Sequence, residues 1–403
     1  MYHIGREPPG FKNTLFLFLI LPWLISCSGI HRPSLTPSME QAFARTLERF
    51  QSQHELPGIT ASYILPSGKS YSAAAGWADL EREEAMTVES RMLAASIGKT
   101  FVAATMVSLA REQAVELDAP VSDWLGHKSW FTRIPNHKSM TLRHLLNHTS
   151  GLPNHVYVPA FTDAVSRQWR APGNPFTPEV LISFVLDAEP LFPPGESWAY
   201  TDTGYVLIGM VIEAITARTY YEELNDRFLG PLRLEATTPS DRRSLSKLAA
   251  GYVAADNPFS FPPKTTDQNG RLIWHPGLEW TGGGLISTSR DLAHWGDALF
   301  RGQALPGEDL NTMHESVPIS AAKPGIHYGL GITIDRSGPI SPVYGHGGWI
   351  PGYSSSLRHY PGSGITIAFQ VNSDRISHNA LPEMELCLAL LVISGGRDTA
   401  CVP

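Results

Sequence analysis

A serine and a lysine three residues apart, Ser96 and Lys99, form the pattern in this sequence that best fits nucleophilic chemistry. An Ala-rich run with apolar residues at helical spacing, 101–110, follows, so we expect Ser96 at a helix N-terminus and Lys99 on the same face. The amine would then reach the hydroxyl, and the helix dipole would favour negative charge on the serine oxygen. The alternative is a helix cap beside a solvated lysine. Ser244–Lys247 and Ser320–Lys323 have the same spacing without a following apolar helix.

Tyr200, Thr201 and Asp202 lie in a turn that leads into a predicted helix, 203–216. A phenol in that position can shuttle a proton if its pKa is lowered, and we expect a neighbouring lysine to lower the pKa of Tyr200. The alternative is that Tyr200 is a packed aromatic residue and Asp202 the N-cap of the helix.

A histidine framed by glycines, His346 with Gly347 and Gly348, is predicted to lie on an edge strand. Glycines there leave room for a substrate backbone, and the N–H groups of the strand become available to an oxyanion. The alternative is an exposed turn histidine. A second glycine run, 282–284, is interpreted mainly as a structural wall.

The elements that must position these residues are strands at both ends of the chain around a helical middle. The predicted elements are a helix 39–53, a hairpin 58–65 and 70–77, helices 141–146 and 203–216, strands 328–334, 353–360 and 365–371, and a closing helix 381–394. The pattern predicts an α/β (α+β) fold. In it, an antiparallel sheet built from both termini is flanked by helices, and a mostly helical lobe, about 115–280, is inserted.

The three motifs occur in the order and rough spacing of the serine β-lactamase and penicillin-binding-protein superfamily, which the chain resembles over about 38–395. The likeness is to the branch with class C β-lactamases, D-alanyl-D-alanine carboxypeptidases, D-aminopeptidases and β-lactamase-like esterases. Further stretches that resemble this branch are 117–121, 142–152, 283–288 and 351–355.

The resemblance implies that Ser96 is the acylated nucleophile, that Lys99 takes its proton, and that Tyr200 passes a proton to the leaving group. The backbone N–H groups of Ser96 and Trp349 would form the oxyanion hole beside Gly348. His346 is carried over as a catalytic residue and Asp202 as a substrate contact.

Two departures from the family pattern weaken the case for efficient β-lactam hydrolysis. Asp202 stands where the second motif usually has Asn, and an ionised Asp only accepts hydrogen bonds. His346 stands where β-lactamases have Lys, and we expect it to be only partly charged near neutral pH.

The N-terminal segment, 1–26, resembles a bacterial lipoprotein signal peptide, with Arg6 and Lys12 before an apolar run. Cys27 would be diacylated, 27–37 would be a tether, and 396–403 a C-terminal tail. The predicted location is the bacterial cell envelope, facing the periplasm, in the outer membrane if the cell is Gram-negative. The alternative is an ordinary secretory signal in which Cys27 is incidental.

Composition excludes several classes of function. The formal net charge of −7 over 403 residues, with no basic run, argues against a nucleic-acid partner. No Cys/His spacing suggests a metal, because His144 and His148 have no third ligand in view, and no cofactor is implied. Cys387 and Cys401 either pair in an oxidising compartment or Cys387 is a buried free thiol.

The sequence therefore predicts a lipid-anchored serine hydrolase that forms an acyl-enzyme on Ser96. Its substrate would be an ester or a D-amino-acid-containing amide or peptide, possibly derived from peptidoglycan. One alternative is a true class C-like β-lactamase or a penicillin-binding D,D-carboxypeptidase. The other is a non-catalytic envelope binding protein.

Overall fold

The two ends of the chain meet in a nine-stranded antiparallel sheet. The computed structural model describes residues 38–113, 115–170, 175–376 and 380–397. The predicted signal segment, the predicted tether with Cys27, and residues 398–403 of the predicted tail lie outside these ranges. The strands are Gly58–Ile64 (β1), Ser70–Asp79 (β2), Glu84–Ala85 (β3), Met92–Leu93 (β4), Thr238–Pro239 (β5), Leu285–Ser287 (β6), Val317–Pro318 (β7), Ile326–Tyr328 (β8), Thr333–Asp335 (β9), Val343–Ile350 (β10), Tyr353–Tyr360 (β11) and Ile365–Val371 (β12).

The sheet order is β3-β2-β1-β12-β11-β10-β9-β8-β7, and β4, β6 and β5 form a small second sheet. The central pair joins the N-terminal and C-terminal strands, with Ile59 opposite Val371. The predicted sheet from both termini is thus confirmed. The predicted strand 328–334 is instead two strands, β8 and β9, because the chain turns at Gly331, whose φ is +72°.

The helices of the described residues are Met39–Gln53 (α1), Gly98–Glu112 (α2), Ser122–Leu125 (α3), Leu142–Leu146 (α4), Pro159–Arg170 (α5), Pro178–Ser183 (α6), Asp202–Thr216 (α7), Tyr220–Leu224 (α8), Ser289–Phe300 (α9), Gly307–His314 (α10) and Ala380–Ile393 (α11). Local sequence explains their starts. Ser38 and Gln41 form a capping box at α1, and the side chain of Thr288 caps α9. None of the described helices is long and apolar enough to cross a bilayer.

Both faces of the sheet are covered, and two cores result. Phe43 and Leu47 of α1 pack with Leu388 of α11 on one face. On the other face a larger core includes α2 and α7, both buried along most of their length. Cys387, buried in α11, is disulfide-bonded, so the free-thiol alternative is wrong; Cys401 lies outside the described residues.

Candidate active site

Ser96 lies in one turn of 3-10 helix, Ala95–Ile97, that runs directly into α2. Ala95 has a φ of +49°, a left-handed conformation that costs a non-glycine residue about 1 kcal/mol or more. This turn presents Ser96 at the N-terminal end of α2, where the helix dipole favours negative charge on its oxygen. The predicted placement of Ser96 is confirmed.

Lys99 is fully buried beneath Ser96. Its Nζ donates to Ser96 Oγ at 3.2 Å and to the carbonyl oxygen of Gly282 at 2.5 Å, and it forms an ion pair with Asp202. These three contacts use all three donors of an ammonium group. The alternative of a solvated Lys99 is therefore wrong, and the glycine run 282–284, interpreted mainly as a wall, supplies a direct ligand to the lysine.

Asp202 is the counter-ion that fixes Lys99. It is the first residue of α7, and Thr201 occupies the N-cap position, so the N-cap interpretation of Asp202 is wrong. Its second carboxylate oxygen accepts from Asn154 Nδ2 at 3.1 Å. Burial raises the pKa of Asp202, but the charge and hydrogen bond of Lys99 outweigh burial and leave that pKa below its usual value.

Tyr200 covers the same lysine from the side. Its ring centroid is 4.9 Å from Lys99 Nζ. Its buried hydroxyl lies near Ser96 but makes no hydrogen bond of standard geometry with the described residues. Burial, and then the negative charge of Asp202, raise the pKa of Tyr200 well above its usual value, although Ser96 opposes that shift. The expectation of a lowered pKa is wrong, because burial and the charge of Asp202 outweigh the opposing effect of Ser96. At neutral pH Tyr200 is a phenol that can donate a proton.

His346 is a buried, neutral imidazole. Its Nδ1 lies 2.5 Å from the carbonyl oxygen of Gly347, which can only accept, so Nδ1 carries the proton. Its Nε2 then accepts from the Tyr328 hydroxyl at 2.8 Å. Burial, reinforced by the charge of Lys99, lowers the pKa of His346 to about 3. The expectation of partial charge near neutral pH is therefore wrong, and the third motif supplies no cation.

His346 lies on β10, an inner strand, so the predicted edge position is also wrong. Its neighbour β9 pairs only with residues 343–345 of β10, which leaves the following half of the strand open on one side. Gly348 faces the nucleophile turn there: a Cβ on it would stand 2.3 Å from the Ala94 carbonyl oxygen. Glycine allows this close approach, which brings the backbone of Trp349 to the cavity where the oxyanion hole is predicted.

Ser96 opens into a cavity of about 520 Å³ that also contains the other predicted site residues. Tyr200, Asp202, His346, Gly348 and Trp349 line it together with Ser96, and Lys99 lies behind Ser96. The structure thus brings every predicted site residue of the described chain to one place. Their assigned catalytic roles remain predictions. Cys27 lies outside the described residues.

Sequence reasoning missed the apolar wall of this cavity. The wall residues are Val156, Phe161, Val165, Phe259, Phe261, Trp274, Leu278 and Ile350. Phe261 stacks on Trp274 with ring centroids 4.6 Å apart. The only signal was aromatic richness in the middle section, which did not distinguish a pocket wall from ordinary core. Asn154 and Glu279 were also missed, since neither belongs to a recognisable motif.

The cations at this cavity are paired with carboxylates. Arg358 lines the cavity and pairs with Glu385. Its Nε donates to Glu385 Oε2 at 3.0 Å, and its Nη2 lies 3.0 Å from Glu385 Oε1. Lys99 pairs with Asp202. Within the described ranges no group of three or more His, Cys, Asp or Glu side chains is placed to hold a metal ion.

Comparison with known proteins gives the family. The family model described as Beta-lactamase matches residues 43–383, most of the chain. The chain belongs to the Beta-lactamase family. This family consists of serine hydrolases that act through an acyl-enzyme. The mixed α/β fold with a large antiparallel sheet matches that of the similar solved structures.

Three similar proteins illustrate the range within this family. Penicillin-binding protein 4* of Bacillus subtilis is 24% identical over 310 residues, 75% of this chain and 65% of that protein. A D-aminopeptidase of Cereibacter sphaeroides is 24% identical over 348 residues, 84% of this chain and 61% of that protein. The crystal structure of a D-stereospecific amidohydrolase from Streptomyces sp. has a TM-score of 0.74 and 32% identity, covering 86% of this chain and 98% of that one. The chain spans about half to two thirds of the length of the curated relatives it matches.

Proposed function

We propose that this protein hydrolyses amide bonds formed by the carboxyl group of a D-amino acid, through an acyl-enzyme on Ser96. The observation that carries the proposal is the 3.2 Å contact between Lys99 Nζ and Ser96 Oγ at a cavity whose cations are paired. The similarity to a D-aminopeptidase and to a D-stereospecific amidohydrolase supports the choice of D-amino-acid amides. An ester of the same acyl group would react at the same serine.

Acylation uses the residues that surround Ser96. In the resting site Ser96 Oγ accepts from the Lys99 ammonium group. Attack requires that Lys99 first releases one proton to solvent; the neutral amine then takes the Ser96 hydroxyl proton and becomes an ammonium group again. A bond forms between Ser96 Oγ and the carbonyl carbon, and the backbone N–H groups of Ser96 and Trp349 stabilise the oxyanion. The bond to the leaving nitrogen breaks as Tyr200, a neutral phenol, donates its proton to that nitrogen.

Deacylation runs the proton transfers in the opposite direction. Tyr200, having lost its proton, accepts one from a water that attacks the acyl carbon. The ester bond to Ser96 breaks, Ser96 Oγ regains a proton from Lys99, and the D-amino acid leaves. The contact between Lys99 and Asp202 keeps the lysine in place through both half-reactions, and it is an ion pair while Lys99 holds the serine proton.

The β-lactamase and D,D-carboxypeptidase alternatives need a partner for a substrate carboxylate. His346 is neutral, and the Arg358 guanidinium is bound to Glu385. A carboxylate would therefore enter a site without an uncommitted cation among the described residues that line it, which is unfavourable in a partly apolar cavity. This charge arrangement favours substrates whose acyl group lacks a free carboxylate.

The test is hydrolysis of a matched panel by the purified protein without its signal segment. The panel contains the D and L forms of phenylalanine p-nitroanilide, N-acetyl-D-alanyl-D-alanine and nitrocefin, each with wild type and Ser96→Ala. We expect turnover of the D-anilide that Ser96→Ala removes. Turnover of nitrocefin or of the D-alanyl dipeptide in preference to the D-anilide would replace the proposal with the corresponding alternative.

We also propose that the mature chain is anchored by a lipid on Cys27 and works at the bacterial cell envelope. The support is the sequence alone: a charged start, a short apolar run and a cysteine in register. Growth with an alkyne-modified fatty acid should label the wild type and not Cys27→Ala, and the variant should leave the membrane fraction. Equal labelling and equal membrane fractionation of both proteins would contradict the anchor.

A further inference from the structure

Glu279 is an acidic group at the cavity that the mechanism above does not use. It lines the cavity, and its Oε2 is buried without a hydrogen-bond partner. Within the described residues it forms no ion pair. An unpaired carboxyl group in such a position is costly to ionise unless a cation arrives.

The Glu279 carboxyl lies close to the reacting serine. A Cβ built on Gly283 would stand 2.9 Å from Glu279 Oε1 and 2.6 Å from the carbonyl oxygen of Ala95, the residue before Ser96. Gly282, between Glu279 and Gly283 in the same turn, is the carbonyl that holds Lys99. Glu279 therefore borders the reaction centre, and not the distant end of the cavity.

The charges around Glu279 leave it without compensation. Lys99 is the cation whose charge acts on Glu279, and Asp202 already pairs with that lysine. Tyr200 and Tyr221, which also sense Glu279, are neutral phenols with raised pKa values. Burial, only partly offset by Lys99, raises the pKa of Glu279 to about 8.

We infer that Glu279 receives the free α-ammonium group of the substrate, so that the enzyme acts on an unblocked, amino-terminal D-residue. In an amino-acid amide the α-nitrogen is separated from the attacked carbonyl carbon by one carbon atom, about 2.5 Å away. A group that binds this ammonium must therefore lie beside the nucleophile, as Glu279 does. The inference rests on the proposed function and adds the chemical group that the site selects.

The exchange on binding is balanced. An amino-acid amide with a free α-amino group enters the cavity as an ammonium ion. Glu279 releases its proton to solvent as the ammonium arrives, and the two groups form an ion pair in a largely desolvated position. The apolar wall of Phe261 and Trp274 lies in the same cavity and can take an aromatic side chain. The cavity would thus recognise both the cation and the hydrophobic side chain of one ligand.

The experiment measures binding in a Ser96→Ala background, which separates recognition from turnover. The probes are D-phenylalaninamide and 3-phenylpropanamide, which differ only in the α-amino group, and their Kd values are measured by calorimetry at pH 7. With Glu279 present we expect the ammonium ligand to bind about tenfold or more tightly than the desamino ligand. Glu279→Gln should remove most of that preference, while the Kd of 3-phenylpropanamide changes by less than about threefold.

Glu279→Asp keeps the carboxyl group and should restore part of the preference, and Glu189→Gln, at an exposed position, should leave it intact. An unchanged preference in Glu279→Gln would overturn the inference. Equal weakening of both ligands would overturn it as well, since that result would show a role in cavity shape only. The proposed function fails separately, if wild type binds the ammonium ligand but the D-anilide is not hydrolysed.

Discussion

The hydroxyl of Tyr328 lies 2.8 Å from Nε2 of His346 and donates to it, since the other ring nitrogen is protonated toward the Gly347 carbonyl. This contact fixes the ring of the third motif as a neutral imidazole. In the β-lactamases that the chain resembles, a lysine at this position is a fixed cation for the substrate carboxylate. Here His346 is neutral at the same position, and this supports the proposal that the substrates lack a free carboxylate on the acyl group.

Replacing Lys99 tests both catalysis and the buried ion pair. Lys99→Ala should reduce kcat/KM for the D-anilide about a thousandfold or more. In this variant Asp202 would lose its cation, at a cost of about 3 kcal/mol of unfolding free energy. Asp202→Asn in the same protein should recover most of that stability and none of the activity, as measured by urea unfolding and rates. Full activity in Lys99→Ala would rule out its assigned role.

Tyr200→Phe should affect substrates according to their leaving groups. An anilide nitrogen needs a proton as the bond breaks, so kcat/KM for the D-anilide should fall about a hundredfold or more. A p-nitrophenolate needs none, so acylation by the matching D-phenylalanine p-nitrophenyl ester, measured as the burst rate, should fall much less. Equal losses of acylation rate on both substrates would show that Tyr200 acts by packing alone.

The close approach of β10 to the turn that carries Ser96 can be tested by adding a methyl group at Gly348. In Gly348→Ala the new Cβ would stand 2.3 Å from the Ala94 carbonyl oxygen and 2.2 Å from Ser355 Oγ, so the strand must move away from Ser96. We expect kcat to fall about a hundredfold, as for loss of an oxyanion donor. Gly362→Ala, where a Cβ meets nothing within 4 Å, is the matched control and should keep wild-type kcat. Comparable kcat in the two variants would contradict the oxyanion assignment.

A buried histidine distant from the nucleophile predicts acid sensitivity of the fold. Burial, helped by Arg301 and His314, lowers the pKa of His359 to about 4. Protonation of His359 therefore favours the unfolded state. The stability that neutral His359 gives the folded protein is present above pH 6.5 and is lost as the pH falls toward 4. Between about pH 7 and pH 5 this one group should cost about 2 kcal/mol of unfolding free energy.

His359→Gln should reduce the pH-dependent loss by that amount, because any constant cost of the substitution cancels between the two pH values. Urea unfolding at both pH values measures it. An identical pH dependence in wild type and variant would show that His359 titrates normally in the folded protein.

The sequence predicted the main elements because their signals are local. The α1 capping box, the Pro66–Lys69 turn and the apolar runs of β11 and β12 each specify structure within a few residues. The placement of Ser96 followed from the same kind of signal. The motif order then predicted that distant segments share one site.

Other features depend on contacts that spacing does not encode. The pKa of Tyr200 and the charge of His346 were predicted wrongly because burial, a tertiary property, dominates both. The charge of Asp202 at Tyr200 and that of Lys99 at His346 act in the same direction as burial. Asn154 and Glu279 reach the site from segments without a motif. The open half of β10 arises because β9 is short, which the run 328–334 did not reveal.

The most direct test of the central claim is detection of the acyl-enzyme. The Tyr200→Phe protein, in which deacylation should be slow, is mixed with D-phenylalanine p-nitrophenyl ester, quenched with acid, and examined by intact mass and peptide mapping. We predict a single D-phenylalanyl adduct on the peptide that contains Ser96, absent in a Ser96→Ala, Tyr200→Phe protein. An adduct on another residue, or hydrolysis of the D-anilide by Ser96→Ala at the wild-type rate, would contradict nucleophilic catalysis by Ser96.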